Sequence, residues 1–319
     1  MDTNNSQILV TIKCLAYNHE KYIRQCLEGI VHQKTAFRYE AIVHDDASTD
    51  NTASIIHEYE EKYPHIIKPI YEEKNLYQND VISLRKKMNS AVRGKYVAFC
   101  ECDDYWTDEN KLQKQIDFLE THKDYSMCFH NAFEHFEDNS NEDQFFSHIE
   151  DRDYTGLEIY ETWQIPTASV VVREEVFESE LYKYLLYEKD FIFTDIVLFL
   201  TASKFGKLRG MSDVMSVYRS QPSGVTSKAY FGKESTQIKL AEQFLELANI
   251  FGKEYRPQAE KNYSQKYLTL FMLSREKGNT NWKYLWNAFF KYPKNIFRFS
   301  PQKHTHYIKK LIYMITKRK

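Results

Sequence analysis

The sequence predicts an α/β fold: a mostly parallel sheet flanked by helices, followed by a helical C-terminal region. Three observations carry that expectation. Short apolar runs alternate with amphipathic stretches of helical period over the first ~135 residues. Polar and acidic clusters fall just after those runs, at the strand ends where such sheets hold their ligands. From Phe231 onward the pattern is helical throughout.

The elements follow in order. "QILVTIKCLAY" (7–17) reads as a buried strand. "EKYIRQCLEGIVHQ" then puts Tyr22, Ile23, Cys26, Leu27, Ile30 and Val31 on one helical face. "YEAIVHDD" (39–46) is a second strand. The helix after it takes Ser48 or Thr49 as N-cap and Asp50 in its first turn. "IIKPIYEE" (66–73) is a third strand, 80–92 a helix with Val81, Leu84 and Met88 inward, and "KYVAFCE" (95–101) a fourth strand. A helix over 110–122 and a strand over 125–133 complete the alternation. "EDNSNEDQ" (137–144) is a polar loop. Strands over 165–173 and 213–219 enclose a helix over 193–206. The organisation this implies is a domain over 1–225, made of a half at 1–135 and a half at 136–225, and a basic helical region over 226–319.

The net charge of −2 argues against nucleic acid as a partner, but it hides an asymmetry. Residues 281–319 carry ten Lys/Arg and no Asp or Glu, which leaves about −12 on the rest. In that tail "NWKYLWNAFFKYPKNIFRF" interleaves aromatics with lysines, and "YIKKLIYMI" repeats apolar residues at helical spacing. Such segments lie on anionic membrane surfaces or pack as a core helix with a solvated basic face. Five scattered cysteines, no leader-like start and no apolar run of spanning length point to a reducing cytoplasm, with attachment to the inner face of the membrane through the tail.

The chemistry concentrates in "CECDDYW" (100–106). Strand parity puts Cys100 and Cys102 on one face, and Glu101 and Asp103 on the other. A thiolate zinc site lacks ligands at suitable spacing. Two hard oxygen ligands suit Mg²⁺ or Mn²⁺ bridging phosphates, and a solvated acidic turn is the plainer alternative. Only Gly29 and Gly94 occur in the first 150 residues, so no glycine loop is present to cradle phosphates. A cation is the obvious substitute.

Together these motifs resemble a family-2 glycosyltransferase with the GT-A fold, a Rossmann-like nucleotide-diphospho-sugar transferase. "AYNHEKYIRQCLEGI" resembles that family's strand–"TYN"–helix start, "VHDDASTDNT" its "VDDGSTDxT" loop, and "LRKKMNSAVRGKYVAFCECDDYW" its arginine-to-D-x-D segment. The likeness covers roughly residues 8–220. It implies that Ala16, Tyr17 and Asn18 wall a nucleotide base, that Asp46 accepts a hydrogen bond from the uracil imide, and that Arg85 lies near the nucleotide. It places Glu101 on the ribose and Asp103 on the metal, with Cys102 and Asp104 in the same donor-contacting turn.

On the acceptor side it matches Asp195 to the catalytic base, with Glu188, Asp190 and Asp213 as rivals, and Thr167, Ser169 and Arg173 to acceptor-side positions. The implied reaction is inverting transfer from a UDP-sugar, with Mn²⁺ or Mg²⁺, to a glycan or lipid-linked acceptor in bacterial surface-polysaccharide synthesis.

The departures are specific. His44 replaces an apolar residue and is expected at a sheet edge with its ring satisfied. Ala47 replaces a loop glycine and is expected to avoid positive φ. Gln221 stands where many relatives have histidine. A sugar-nucleotide pyrophosphorylase would need a glycine-rich loop after the first strand, and "AYNHE" has none. A non-catalytic nucleotide-sugar-binding module of the same fold would tolerate loss of Asp195.

Overall fold

The strand β1 (Ile8–Ala16) has a neighbour on each side, and the helix α1 (Ile23–Val31) that follows it packs Cys26, Leu27 and Ile30 into the core. This is a computed structural model, and it describes residues 7–221 and 232–298. The chain divides into two compact units, 1–221 and 222–319.

In the first unit the chain continues through β2 (Arg38–Asp45), α2 (Thr52–Lys62), β3 (Ile67–Tyr71), the short α3 (Leu76–Asn79), α4 (Val81–Ser90) and β4 (Tyr96–Phe99). The four strands pair in the order β3-β2-β1-β4, all parallel. β1 and β2 are buried along most of their length, as parallel strands covered on both faces must be. Next come β5 (Tyr105–Trp106), α5 (Lys111–Thr121) and β6 (Tyr125–Phe136), then β7 (Gln144–Phe145), β8 (Asp153–Tyr154) and α6 (Gly156–Thr162). β9 (Val171–Arg173), α7 (Glu174–Glu178), α8 (Glu180–Tyr187), α9 (Asp195–Phe205) and β10 (Lys207–Ser220) complete the unit.

Among the described residues the sheet has ten strands. The order β3-β2-β1-β4-β9-β6-β10-β5 makes it mixed, with β7 and β8 pairing off that path. β9 runs antiparallel between β4 and β6, so β6 does not pair with β4 directly. Gly94 is required just before β4. A Cβ there would lie 2.5 Å from Thr11 N and 2.7 Å from the Val10 carbonyl carbon, both backbone atoms.

Several local expectations are corrected. The strand expected over 165–173 shrinks to Val171–Arg173, because Pro166 leads into a 3₁₀ turn over Thr167–Ser169. The final strand starts earlier, at Lys207. α2 starts at Thr52 with Asn51 at its N-cap and no side-chain cap. Ser48 and Thr49 are occupied elsewhere: the Asn18 N–H donates to Ser48 Oγ (2.9 Å) and the Thr49 N–H to Asn18 Oδ1 (2.8 Å). His44 is not at an edge, since β2 lies between β3 and β1, and its ring is fully buried. Ala47 does adopt the left-handed conformation, at φ 61°.

The second unit is helical: α10 (Glu234–Phe251), α11 (Arg256–Glu276), α12 (Trp282–Lys291) and α13 (Pro293–Arg298). Its core gathers Ala241, Tyr267, Leu268, Phe271, Tyr284 and Leu285. Phe290 is left 73% exposed on α12, stacked on Trp286. "YIKKLIYMI" (307–315) lies outside the described residues. No helix among the described residues is long and apolar enough to cross a membrane.

Candidate active site

The site is built where β4 ends. The Cys100 N–H donates to Lys13 O (3.1 Å) and the Cys102 N–H to Leu15 O (3.2 Å), so the turn stays laddered to β1 beyond Phe99. That pairing preserves strand alternation. Cys100 and Cys102 go into the core with Cys14 and Cys26, and Cys26 Sγ lies 3.6 Å from Cys100 Sγ. The Cys102 side chain is therefore core packing rather than a donor contact. Glu101 and Asp103 stay half-buried on the opposite side.

The turn concentrates negative charge. Glu101 is pushed up to about 7, chiefly by desolvation and also by Asp103, against the pull of Lys13. Asp104 is buried and held well above the usual carboxylate range by desolvation, then by Asp103, while the Arg219 N–H donates to its Oδ1 (2.8 Å). Lys13 is drawn down to about 8 by burial, against the pull of Glu101. It donates to Asn89 Oδ1 and lies 4.9 Å from the centre of the Phe177 ring. Asp103 Oδ2 accepts from the Gln221 side-chain amide (3.0 Å).

Crowded carboxylate oxygens of this kind fit a divalent cation. Among the described residues, however, no three His, Cys, Asp or Glu side chains are grouped to hold one alone. A cation at Asp103 needs oxygens from elsewhere, as a bound diphosphate would provide.

The β1 and β2 ends form the neighbouring wall. The Asp46 N–H donates to Ala16 O (2.9 Å), which ties the two strand ends together. Ala16 is buried and Tyr17 is exposed. Asn18 sits at φ 56°, a conformation that asparagine tolerates better than most residues. Asp46 is fully buried, and its oxygens accept the N–H groups of Leu76 (2.7 Å) and Tyr77 (2.9 Å). It thus holds the start of α3, with carboxylate lone pairs still to spare. His44 Nε2 lies 3.5 Å from Glu72 and 4.0 Å from Asp46, and burial lowers its pKa.

Arg85 braces the chain ahead of Asp195. Its guanidinium donates to the carbonyls of Leu186 (2.9 Å) and Phe191 (3.3 Å), bracing the loop that leads to Asp195.

Asp195 opens α9 half-buried. Its Oδ2 accepts from the Trp163 indole N–H (2.9 Å) and its Oδ1 from the Ile196 N–H (2.8 Å). Desolvation raises its pKa and the Trp163 bond opposes that rise. Its charge also raises Glu101, so the acidic turn and α9 belong to one electrostatic neighbourhood. Among the rivals, Asp213 pairs with Lys114 (2.6 Å), Glu188 caps α8, and the charge of Asp190 acts on Arg85.

The acceptor-side matches are structural in part. Arg173 is tied to the carbonyls of Tyr125 and Leu119 (2.6 Å each), and Ser169 Oγ to Pro166 O (2.7 Å). Thr167 opens the 3₁₀ turn, half-buried.

Two residues escaped the sequence reading. Lys13 carried a signal, a lysine within an apolar strand at the parity of Glu101's face. Trp163 carried none, since it meets Asp195 across 32 positions.

Comparison with known proteins identifies the family and the fold. The family description "Glycosyl transferase family 2" matches residues 14–180. An uncharacterized protein of Mycobacterium tuberculosis is 34% identical over 221 residues, 69% of this chain and 61% of its own length. The UDP-Glc:alpha-D-GlcNAc-diphosphoundecaprenol beta-1,3-glucosyltransferase WfaP of Escherichia coli is 35% identical over 115 residues, 36% of this chain and 43% of its own. The crystal structure of S. aureus TarS 1-349 in complex with UDP-GlcNAc superposes with TM-score 0.57 at 19% identity, covering 85% of this chain and 75% of that one. This last likeness shows the fold, which is that of the GT-A glycosyltransferases. With its three motifs in order and the family match over half its length, the chain belongs to glycosyl transferase family 2.

Proposed function

We propose that this protein is an inverting, divalent-cation-dependent glycosyltransferase that moves a sugar from a UDP-sugar to a hydroxyl of a glycan or lipid-linked acceptor. The observation that carries this reading is the placement of Asp195 within electrostatic reach of Glu101, which itself belongs to the acidic turn with Asp103 and Asp104.

In this reading Asp195 removes the acceptor hydroxyl proton. The acceptor oxygen forms its bond to C1 as the C1–O bond to the diphosphate breaks, and the nucleoside diphosphate departs. A raised pKa suits a group that must take up a proton. Mn²⁺ or Mg²⁺ held by Asp103 would supply charge stabilisation for that diphosphate. Glu101 lies toward the ribose, Tyr17 and Asn18 border the base, and Asp46 orders the segment starting at Leu76 beside it. The names of WfaP and TarS–UDP-GlcNAc support UDP as the donor nucleotide, and WfaP's name supports a lipid-linked acceptor. The basic residues of 281–319 and exposed Phe290 support contact with an anionic membrane surface at the inner face of the cell membrane, in surface-polysaccharide synthesis.

The test is a thermal-shift panel of UDP- and GDP-sugars with Mn²⁺, followed by transfer assays with and without EDTA. A UDP-sugar should stabilise the protein most, and full activity in EDTA would sink the cation. Asp195→Asn should abolish transfer while retaining UDP binding. If it turns over normally, the base lies elsewhere, with Glu188, Asp190 and Asp213 as the alternatives; absence of transfer in the wild type would favour the non-catalytic reading. Removal of 281–319 should reduce sedimentation with phosphatidylglycerol vesicles, and unchanged sedimentation would leave the tail structural.

A further inference from the structure

Trp163 combines two features that are rarely found together. It follows α6 with its backbone left-handed, at φ 45° and ψ 54°, a conformation that helix ends normally assign to glycine or asparagine. A tryptophan there bears a steric cost through its Cβ. Its side chain also spends its one hydrogen-bond donor on the half-buried carboxylate of Asp195, at 2.9 Å.

The surroundings hold this arrangement rigidly. α6 is anchored at its start by a reciprocal capping box between Thr155 and Glu158, and the Trp163 N–H closes its end on Ile159 O (2.8 Å). The indole meets Phe193 edge-on, with ring centres 5.1 Å apart at 89°. Phe193 lies two residues before Asp195, so the same ring fixes both the approach to α9 and the carboxylate that opens it. A glycine or asparagine would satisfy the backbone without strain but would lose both contacts. Strain retained at a residue that touches a candidate base is the pattern expected when geometry there is selected over stability.

We infer that Trp163 is a positioning residue for the transfer reaction. Its indole N–H holds Asp195 Oδ2, while the Ile196 N–H holds Oδ1. The carboxylate is thereby fixed in one orientation, with a lone pair remaining on each oxygen for the acceptor hydroxyl proton. This rests on the reading of Asp195 as the base, and small misplacements of such a group cost large factors in rate.

The test uses the full-length protein in four forms: wild type, Trp163→Phe, Trp163→His and Asp195→Asn. Trp163→Phe keeps a ring against Phe193 and removes the donor, and Trp163→His restores a ring N–H. UDP release is measured from the sugar nucleotide selected by the thermal-shift panel, alongside UDP binding by calorimetry and the thermal midpoint. Trp163→Phe should lower kcat about tenfold or more, with UDP affinity within about twofold of wild type and the midpoint unchanged; Trp163→His should recover part of the loss. A kcat within about twofold of wild type in Trp163→Phe overturns the inference. So does a loss of activity matched by loss of UDP binding or of thermal stability, which would mark a merely structural residue. Normal turnover in Asp195→Asn is a separate result that removes the base itself.

A readout independent of turnover closes the argument. The Trp163 indole N–H signal in a ¹⁵N correlation spectrum, identified by its loss in Trp163→Phe, should move on Asp195→Asn substitution. An unmoved signal overturns the contact and the inference together.

Discussion

Arg85 on α4 donates to the carbonyl oxygen of Leu186 at 2.9 Å, across 101 positions of sequence, and joins α4 to the end of α8. A second bond from the same guanidinium, to Phe191 O, brackets the loop in front of Asp195. Arg85→Gln should therefore cut transfer roughly 10- to 100-fold by loosening that loop, with UDP affinity little changed. Calorimetry with UDP beside a transfer assay checks it. A large loss of UDP affinity would instead make Arg85 a nucleotide contact.

Ala47 sits at φ 61°, where a Cβ is unfavourable. Replacing it with glycine removes that clash at the cost of a looser unfolded chain. Ala47→Gly should raise stability by about 1 kcal/mol, read as an increased urea midpoint with unchanged slope.

Gly94 presents the opposite case. The added methyl of Gly94→Ala would meet the backbone of Thr11 and Val10 at 2.5 and 2.7 Å, and neither can yield without moving β1. A loss of about 1–3 kcal/mol in urea denaturation is expected.

Lys111 is fully buried, with its ammonium 4.0 Å from the centre of the Trp106 ring and bonded to Gln115 Oε1 (2.8 Å). Burial lowers it from 10.5 to about 7. Between those values the unfolded chain holds a proton that the folded chain has released, so this group makes stability rise with pH, by up to about 1.4 kcal/mol per unit. Below about 7 both states are protonated and the slope vanishes. Lys111→Met should flatten the difference in unfolding free energy between neutral and mildly alkaline pH relative to wild type. Lys13, lowered to about 8, remains in both proteins and keeps a residual slope.

The parts of this fold that were legible in the sequence are those set by local pattern. β1, β2 and β4 announce themselves as apolar runs because both faces are covered, and the alternation of Cys100, Glu101, Cys102 and Asp103 separated the buried thiols from the half-buried carboxylates. What stayed hidden depends on distant partners. The insertion of β9 between β4 and β6 is decided by pairing across more than forty residues, which no periodicity encodes. Asp46 holds the start of α3 at Leu76–Tyr77, and Arg85 holds Leu186 at the end of α8 and Phe191 in the loop after it, bonds that no motif announces. His44 read as an edge residue because it is polar, yet it is buried in an interior strand, where desolvation lowers its pKa.

The sulfur layer beneath the acidic turn has a practical consequence. All five cysteines are free and buried in one core, and four of them, Cys14, Cys26, Cys100 and Cys102, come from β1, α1 and the turn that follows β4. A small alkylating reagent can reach them only when that layer parts. The rate at which native protein takes up label therefore clocks the opening of the sheet directly under the site, without any introduced probe. Slower labelling in the presence of a nucleotide sugar would register occupancy from the far side of the same strands.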